Sequence, residues 1–226
     1  MSLKTYAVIV AGGSGSRMGN EIPKQYFSLL GKFVLQHTLE AFIHSLDQVW
    51  IILVVHPLHV QQARSVTAFV QPPHHIDIVL GGSTRFLSVK AGLDRIDDAD
   101  AIVFIHDAVR CLVSPALIQS CLRATLKNGN AVPAVTSVES IRIQTEEGSH
   151  SLDRQTVKLV QTPQTFRAGL IKSAYAVAPH DHFTDDATVL ECTGVAVHLV
   201  EGERVNIKLT WPVDLLVAEA VIRQRK

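Results

Sequence analysis

Four short, almost unbroken apolar runs, Ala7 to Ala11, Val49 to Val55, Ile76 to Leu80 and Ala101 to Ile105, alternate along the first half of this chain with stretches of helical periodicity. Leu35, Leu39, Phe42, Ile43 and Leu46 make one such stripe, and Leu87, Val89, Leu93 and Ile96 another. A strand that is apolar at every position must be covered on both faces, so the alternation predicts an α/β fold with a doubly wound, mostly parallel sheet. Ligands of such sheets bind at the carboxyl ends of the strands. That edge is where the sequence places Gly12-Gly13, Gly81-Gly82-Ser83 and His106-Asp107-Ala108.

The first of these loops belongs to YAVIVAGGSGSRMGNEIPK, Tyr6 to Lys24. Glycines let backbone N–H groups approach an anion unobstructed, and Arg17 and Lys24 bring two cations to the same place, so the stretch reads as a phosphate loop. Two common phosphate loops are excluded. The nearest approach to a P-loop, Gly31-Lys32-Phe33, lacks the hydroxyl residue, and Gly13, Gly15 and Gly19 give G-x-G-x-x-x-G, one residue too long for a dinucleotide fingerprint. The second strand also ends in His56-Pro57 instead of an acid for a ribose.

The 226 residues carry 21 Lys plus Arg against 21 Asp plus Glu, so no overall field draws the chain to nucleic acid or an anionic membrane. Any bound anion must therefore meet a local cluster. Cys111, Cys121 and Cys192 are odd in number and lack C-x-x-C spacing, which disfavours a disulfide framework and a zinc site and fits a reducing cytoplasm. The N-terminal apolar run is too short to span a membrane, and no signal-peptide pattern follows it.

Residues 137–160, by contrast, alternate polar with β-branched residues around Gly148-Ser149 and offer no helix-sized apolar face. They predict a β-arm projecting from a single domain that spans residues 1–226. So thin a hairpin is marginal in water, and a second copy of the chain is the expected support.

Of the candidate polar groups, Asp107 at a strand end suits a metal ion or a substrate hydroxyl, and equally a helix N-cap. Lys208, in the strand-like run Asn206 to Thr210, either snorkels to solvent or joins Arg17 and Lys24 around a polyphosphate. Thr184-Asp185-Asp186 reads first as a helix cap. The spacings of His74-His75 and His180-Asp181-His182 could ligate a metal but lack a third ligand, and the residues read as solvated loop histidines. No nucleophile turn accompanies His106. Lysine, arginine and a divalent cation without a Ser, His or Cys nucleophile suit nucleotidyl transfer, where the attacking phosphate oxygen is already anionic.

Five segments in order, AGGSGSRMG with PKQ, GGSTRFLSV, HDAVR, DR with QTPQTF, and TDDA with VEG and NIK, resemble the 2-C-methyl-D-erythritol 4-phosphate cytidylyltransferase family. The resemblance implies an enzyme that joins CTP to 2-C-methyl-D-erythritol 4-phosphate in the non-mevalonate route to isoprenoid precursors, with Mg²⁺ or another divalent cation. It implies catalytic roles for Arg17, Lys24, Arg154 and Lys208, and nucleotide contacts from Ala11, Gly12, Gly13, Gly15, Gly82, Ser83 and Ser88. Asp107, Arg110, Ser140, Thr162 and Thr184 would meet the acceptor, with Asp107 also the candidate metal ligand. The implied active unit is a homodimer joined through the arm. Two departures, Glu139-Ser140-Ile141-Arg142 at the arm entry and Cys111 after Arg110, bear on the acceptor alone. Ribitol 5-phosphate cytidylyltransferase, sharing the opening and QTPQTF, is the alternative enzyme, and a nucleotide-binding module without turnover the alternative class.

Overall fold

A computed structural model of the chain describes residues 3–13, 22–70, 75–176 and 183–225. Four strands, β1 (Thr5–Ala11), β4 (Val49–Val55), β5 (His75–Leu80) and β6 (Ile102–Asp107), run parallel in the order β6-β1-β4-β5. Between β1 and β4 lie two-residue strands β2 (Ser28–Leu29) and β3 (Lys32–Phe33) and helix α1 (Val34–Ser45). Helix α2 (Val60–Thr67) joins β4 to β5, and α3 (Arg85–Leu93) joins β5 to β6. Beyond β6, α4 (Pro115–Asn128) leads into β7 (Asn130–Thr136), and β11 (Gln164–Arg167) inserts antiparallel between β6 and β7.

The period of two along β1 explains why its sequence is apolar throughout. Ala7, Ile9 and Ala11 face a cluster with Leu35, Leu39 and Phe42 of α1 and Leu117, Ile118 and Cys121 of α4. Tyr6 and Val8 face the other layer, made by Phe86, Val89 and Leu93 of α3 with α5 (Ala168–Tyr175) and α6 (Asp186–Glu191). Phe42, Phe104 and Phe166 are fully buried, each contributing about 1.5 to 3 kcal/mol by removal from water. Helix α4 is bounded by local chemistry: the Ser114 hydroxyl accepts the Leu117 N–H, Pro115 takes the first position, and Gly129 at φ 87 adopts the left-handed stop.

The chain after β4 begins as a 3₁₀ turn, Pro57–His59, before α2 starts. Two expectations shift. The projecting hairpin is shorter than residues 137–160: β8 (Ile141–Thr145) and β9 (Gly148–Leu152) form their own two-stranded sheet, turning at Glu146-Glu147. Strand β10 (Lys158–Val160) returns to pair with β7, where β12 (Leu199–Glu201) also pairs. Finally, Asn206 to Thr210 is not a strand; it is an extended segment fixed by buried Asn206 and Leu209 and by the Leu209 N–H to Val109 carbonyl bond. The C-terminal helix α7 (Pro212–Gln224) follows it. Among the described residues, no helix is long and apolar enough to cross a membrane.

Candidate active site

The carboxyl ends of the four parallel strands are level. Val10 pairs with Asp107, Ala11 with Val55 and Val55 with Leu80, and the Ala108 N–H donates to the Val10 carbonyl at 3.1 Å. Asp107 is thereby set beside the opening of the glycine loop. Gly12 and Gly13 follow β1 directly, while Gly15 and Arg17 lie outside the described residues. The Gln25 amide spans the gap, donating to the carbonyls of Ala11 (2.8 Å) and Gly13 (3.2 Å). Its neighbour Lys24 occupies a 3₁₀ turn closed by the Tyr26 N–H to Pro23 carbonyl bond, and it is buried. Lys24 is thus held near the loop by backbone and by Gln25.

The second glycine loop is shaped by packing. A Cβ on Gly82 would lie 2.4 Å from Leu87 Cβ, and one on Gly81 would lie 2.9 Å from the Ser88 hydroxyl. Ser88 is buried and donates to the Thr84 carbonyl at 2.9 Å, with the Gly82 carbonyl at 3.3 Å. Its hydroxyl supports the loop from beneath, whereas Gly82 and Ser83 are exposed.

Asp107 is the centre of charge. Lys208 Nζ is 3.0 Å and Arg110 Nε 3.4 Å from Oδ2, while Arg85 Nε is 3.7 Å from Oδ1. Burial alone pushes this carboxyl upward, but Lys208, Arg85 and Arg110 together hold it well below the usual carboxylate range. It stays ionised at neutral pH. A cavity of about 230 Å³ opens onto these four groups and onto Thr162 and Thr184. The helix-cap reading of Asp107 falls away, since Ser114 caps the next helix.

His106 points away from the cavity, as strand alternation requires, and braces the floor of the site. Its Nε2 meets the Arg110 carbonyl at 3.2 Å, so that nitrogen carries the proton, and Nδ1 accepts from the Thr162 hydroxyl at 3.0 Å. The same hydroxyl accepts the Asp107 N–H at 3.1 Å. Thr162 therefore lines the cavity with its hydroxyl already committed. Burial drives the His106 pKa down to about 3. With an unfolded value of about 6.5, the folded state excludes a proton that the unfolded state binds, so stability falls as pH drops from 6.5 towards 3. The expected loss between pH 7 and pH 5 is about 2 kcal/mol. Denaturant titrations at both pH values should show that loss in the unaltered chain and much less of it in His106→Gln; equal pH dependence would count against it.

Sequence reasoning missed three residues. Arg85 makes a forked pair with Asp186 at 2.8 and 2.7 Å, and Tyr175 donates its hydroxyl to the same carboxylate at 2.6 Å. The capping reading of Thr184-Asp185-Asp186 holds for Asp185, whose side chain accepts the Thr188 N–H, but Asp186 is fully buried in this ion pair. The other expected residues are dispersed. Ser140 is exposed at the arm entry, and Arg154, beyond β9, donates to the Val138 carbonyl at 3.0 Å; neither lines the cavity. His75 is the first residue of β5, stacked on Trp50, while residues 74 and 180–182 lie outside the described set.

For a metal ion the donor set is thin. Among the described residues no three of His, Cys, Asp and Glu gather, and Asp107 already serves three cations. The described residues do not make a protein cage for a divalent cation.

Known proteins resemble the chain in sequence and fold over almost its whole length. The sequence model of the IspD family, described as 2-C-methyl-D-erythritol 4-phosphate cytidylyltransferase, matches residues 5–224. A protein of that name from Bacteroides fragilis is 44% identical over 220 residues, covering 96% of this chain and 98% of its own. One from Phocaeicola vulgatus is 43% identical over 223 residues, covering 97% and 100%. Among solved structures, the 4-diphosphocytidyl-2C-methyl-D-erythritol synthase of Anaerococcus prevotii is 29% identical with a TM-score of 0.83, covering 98% of this chain and 99% of its own. The 2-C-methyl-D-erythritol 4-phosphate cytidylyltransferase of Thermus thermophilus gives 29% and 0.77, covering 99% and 100%. With a sequence and a fold that agree from end to end, the chain belongs to the 2-C-methyl-D-erythritol 4-phosphate cytidylyltransferase family.

Proposed function

We propose that the chain transfers the cytidylyl group of CTP to 2-C-methyl-D-erythritol 4-phosphate, giving 4-diphosphocytidyl-2-C-methyl-D-erythritol and pyrophosphate. The observation that carries this reading is the gathering of Arg85, Arg110 and Lys208 on one aspartate at the mouth of a cavity beside the glycine loop. An oxygen of the acceptor phosphate attacks the α-phosphorus, the new P–O bond forms, and the bond to the β-phosphate oxygen breaks with its electron pair leaving on pyrophosphate. Two anions must be brought together, so the task is positioning and charge relief. Among the described residues no Ser, Cys or His lines the cavity, in keeping with direct displacement.

In this reading the backbone of Ala11, Gly12, Gly13 and Gly15 cradles the triphosphate with Arg17, and Lys24 faces the α-phosphorus. Gly82 and Ser83 meet the cytidine from the second loop, which Ser88 supports. Lys208, whose side chain is 41% exposed, can move from Asp107 to the acceptor phosphate as it enters. Arg110, Asp107 and Thr184 surround the acceptor hydroxyls, with Thr162 holding the Asp107 backbone. Ser140 and Arg154 reach the acceptor site of a second copy through the arm. Mg²⁺ travels with CTP as part of the substrate and neutralises phosphate charge there.

The test is pyrophosphate release with CTP and each of two acceptors, 2-C-methyl-D-erythritol 4-phosphate and ribitol 5-phosphate. Turnover is expected with the first, abolished by EDTA and restored by Mg²⁺. Preference for ribitol 5-phosphate would transfer the assignment to the alternative enzyme; full activity in chelator would remove the metal.

A further inference from the structure

We propose that Arg85 is a positioning residue that locks the nucleotide loop to the acceptor loop through Asp186 and thereby fixes the orientation of Asp107. The inference rests on the assignment of the cavity as a cytidylyltransfer site. Arg85 opens α3, directly after Gly82, Ser83 and Thr84, and Asp186 opens α6, directly after Thr184 and Asp185. Their fork therefore joins the first turns of two helices whose preceding loops serve opposite halves of the reaction.

The clamp is rigid for identifiable reasons. Both Asp186 oxygens are used, one of them twice, since the Tyr175 hydroxyl donates to Oδ1. Tyr175 is itself stacked on Phe86, the residue after Arg85, at 4.6 Å. Asp186 is fully buried, so its carboxylate is shielded from solvent, while the Arg85 side chain also reaches the cavity. The third guanidinium nitrogen, Nε, lies 3.7 Å from Asp107 Oδ1, at ion-pair distance. Arg110 and Lys208 both lie against Oδ2. Arg85 is thus the cation placed on the side of the other oxygen, and its charge opposes rotation of the carboxylate when a phosphate displaces Lys208 or Arg110. A lysine keeps the charge but not the fork.

The experiment compares Arg85→Lys and Tyr175→Phe with the unaltered full chain, reading CTP affinity without acceptor, acceptor KM, kcat and thermal midpoint. Misplacement of reacting groups is costly, so Arg85→Lys should lower kcat/KM for the acceptor by on the order of 10-fold or more, while CTP affinity stays within about twofold. Tyr175→Phe keeps the ion pair and removes one hydrogen bond, and should shift acceptor KM the same way by about two- to threefold. A purely structural clamp would instead lower the thermal midpoint and leave the constants of the folded fraction unchanged, overturning the inference. If Arg85→Lys does not fold, Tyr175→Phe decides by the same criterion. Silence from the unaltered chain would overturn this inference together with the function; turnover undiminished in both variants would overturn this inference alone.

Discussion

A Lys24→Ala chain is expected to bind CTP and scarcely turn it over. The 3₁₀ turn that holds Lys24 closes through backbone bonds, Tyr26 N–H to the Pro23 carbonyl and Phe27 N–H to the Lys24 carbonyl. The glycine loop is tied to that turn by the neighbouring Gln25 amide. Alanine leaves all of these in place, so the site should keep its shape and lose one ammonium. Lys24 is a buried residue, where water screens charge little, and a preorganised charge in such a place acts most strongly on charge that develops during reaction. Removing one such group typically costs about 10² to 10³ in rate. CTP also offers its triphosphate to the rest of the loop, so KM should change far less than kcat. Stopped assays of kcat and KM check this, with thermal melting as the control for fold. A Lys24→Ala chain within a few-fold of the normal kcat would place the charge relief elsewhere.

What the sequence made legible follows from how local each signal is. Strands β1, β4 and β6 were readable because both faces of each are covered, which writes an almost uninterrupted apolar run, whereas β5 is the sheet edge, with His75, Asp77 and Leu80 exposed. The loops at the strand ends followed from topology. The clamp between Arg85 and Asp186 was not readable, since the partners stand 101 residues apart and no spacing links them. Asp186 looked like part of a cap because its neighbour is one. Thr162 suggested a substrate contact by its position in QTPQTF, and only the tertiary structure brings its hydroxyl to His106 and the Asp107 backbone. Asn206 to Thr210 alternates polar and apolar like a strand, yet it is fixed by two buried anchors three residues apart, Asn206 and Leu209, and not by a ladder. The arm was legible as a departure from helical periodicity, but where it rejoins the sheet depended on the pairing of Lys158–Val160 with β7.

Mixing an Arg154→Ala chain with a Lys24→Ala chain, each nearly inactive alone, is expected to restore activity. The hairpin of β8 and β9 pairs only with itself, and all ten of its residues but Ile141 are exposed. So thin a unit cannot bury enough area to stand ordered alone, whereas two arms related by a twofold axis can cover one another. Leu159, Val160 and Leu199, at the arm's base and beside it, are also exposed and would add apolar area to such a face. Arg154 contacts Val138 of its own arm and is not among the described residues that line its own cavity, which motivates placing it at the site of the other copy. Arginine suits that task, because its planar fork grips a phosphate with two hydrogen bonds. If Arg154 acts across the dimer, both lesions of a mixed pair fall in one site and the other site is intact; by site counting under twofold symmetry, activity returns to about half per dimer. If it acts within its own chain, every site of the mixed pair carries one lesion and the mixture stays dead. Inactivity despite demonstrated subunit exchange, or a monomer by light scattering at assay concentration, would rule out the shared site.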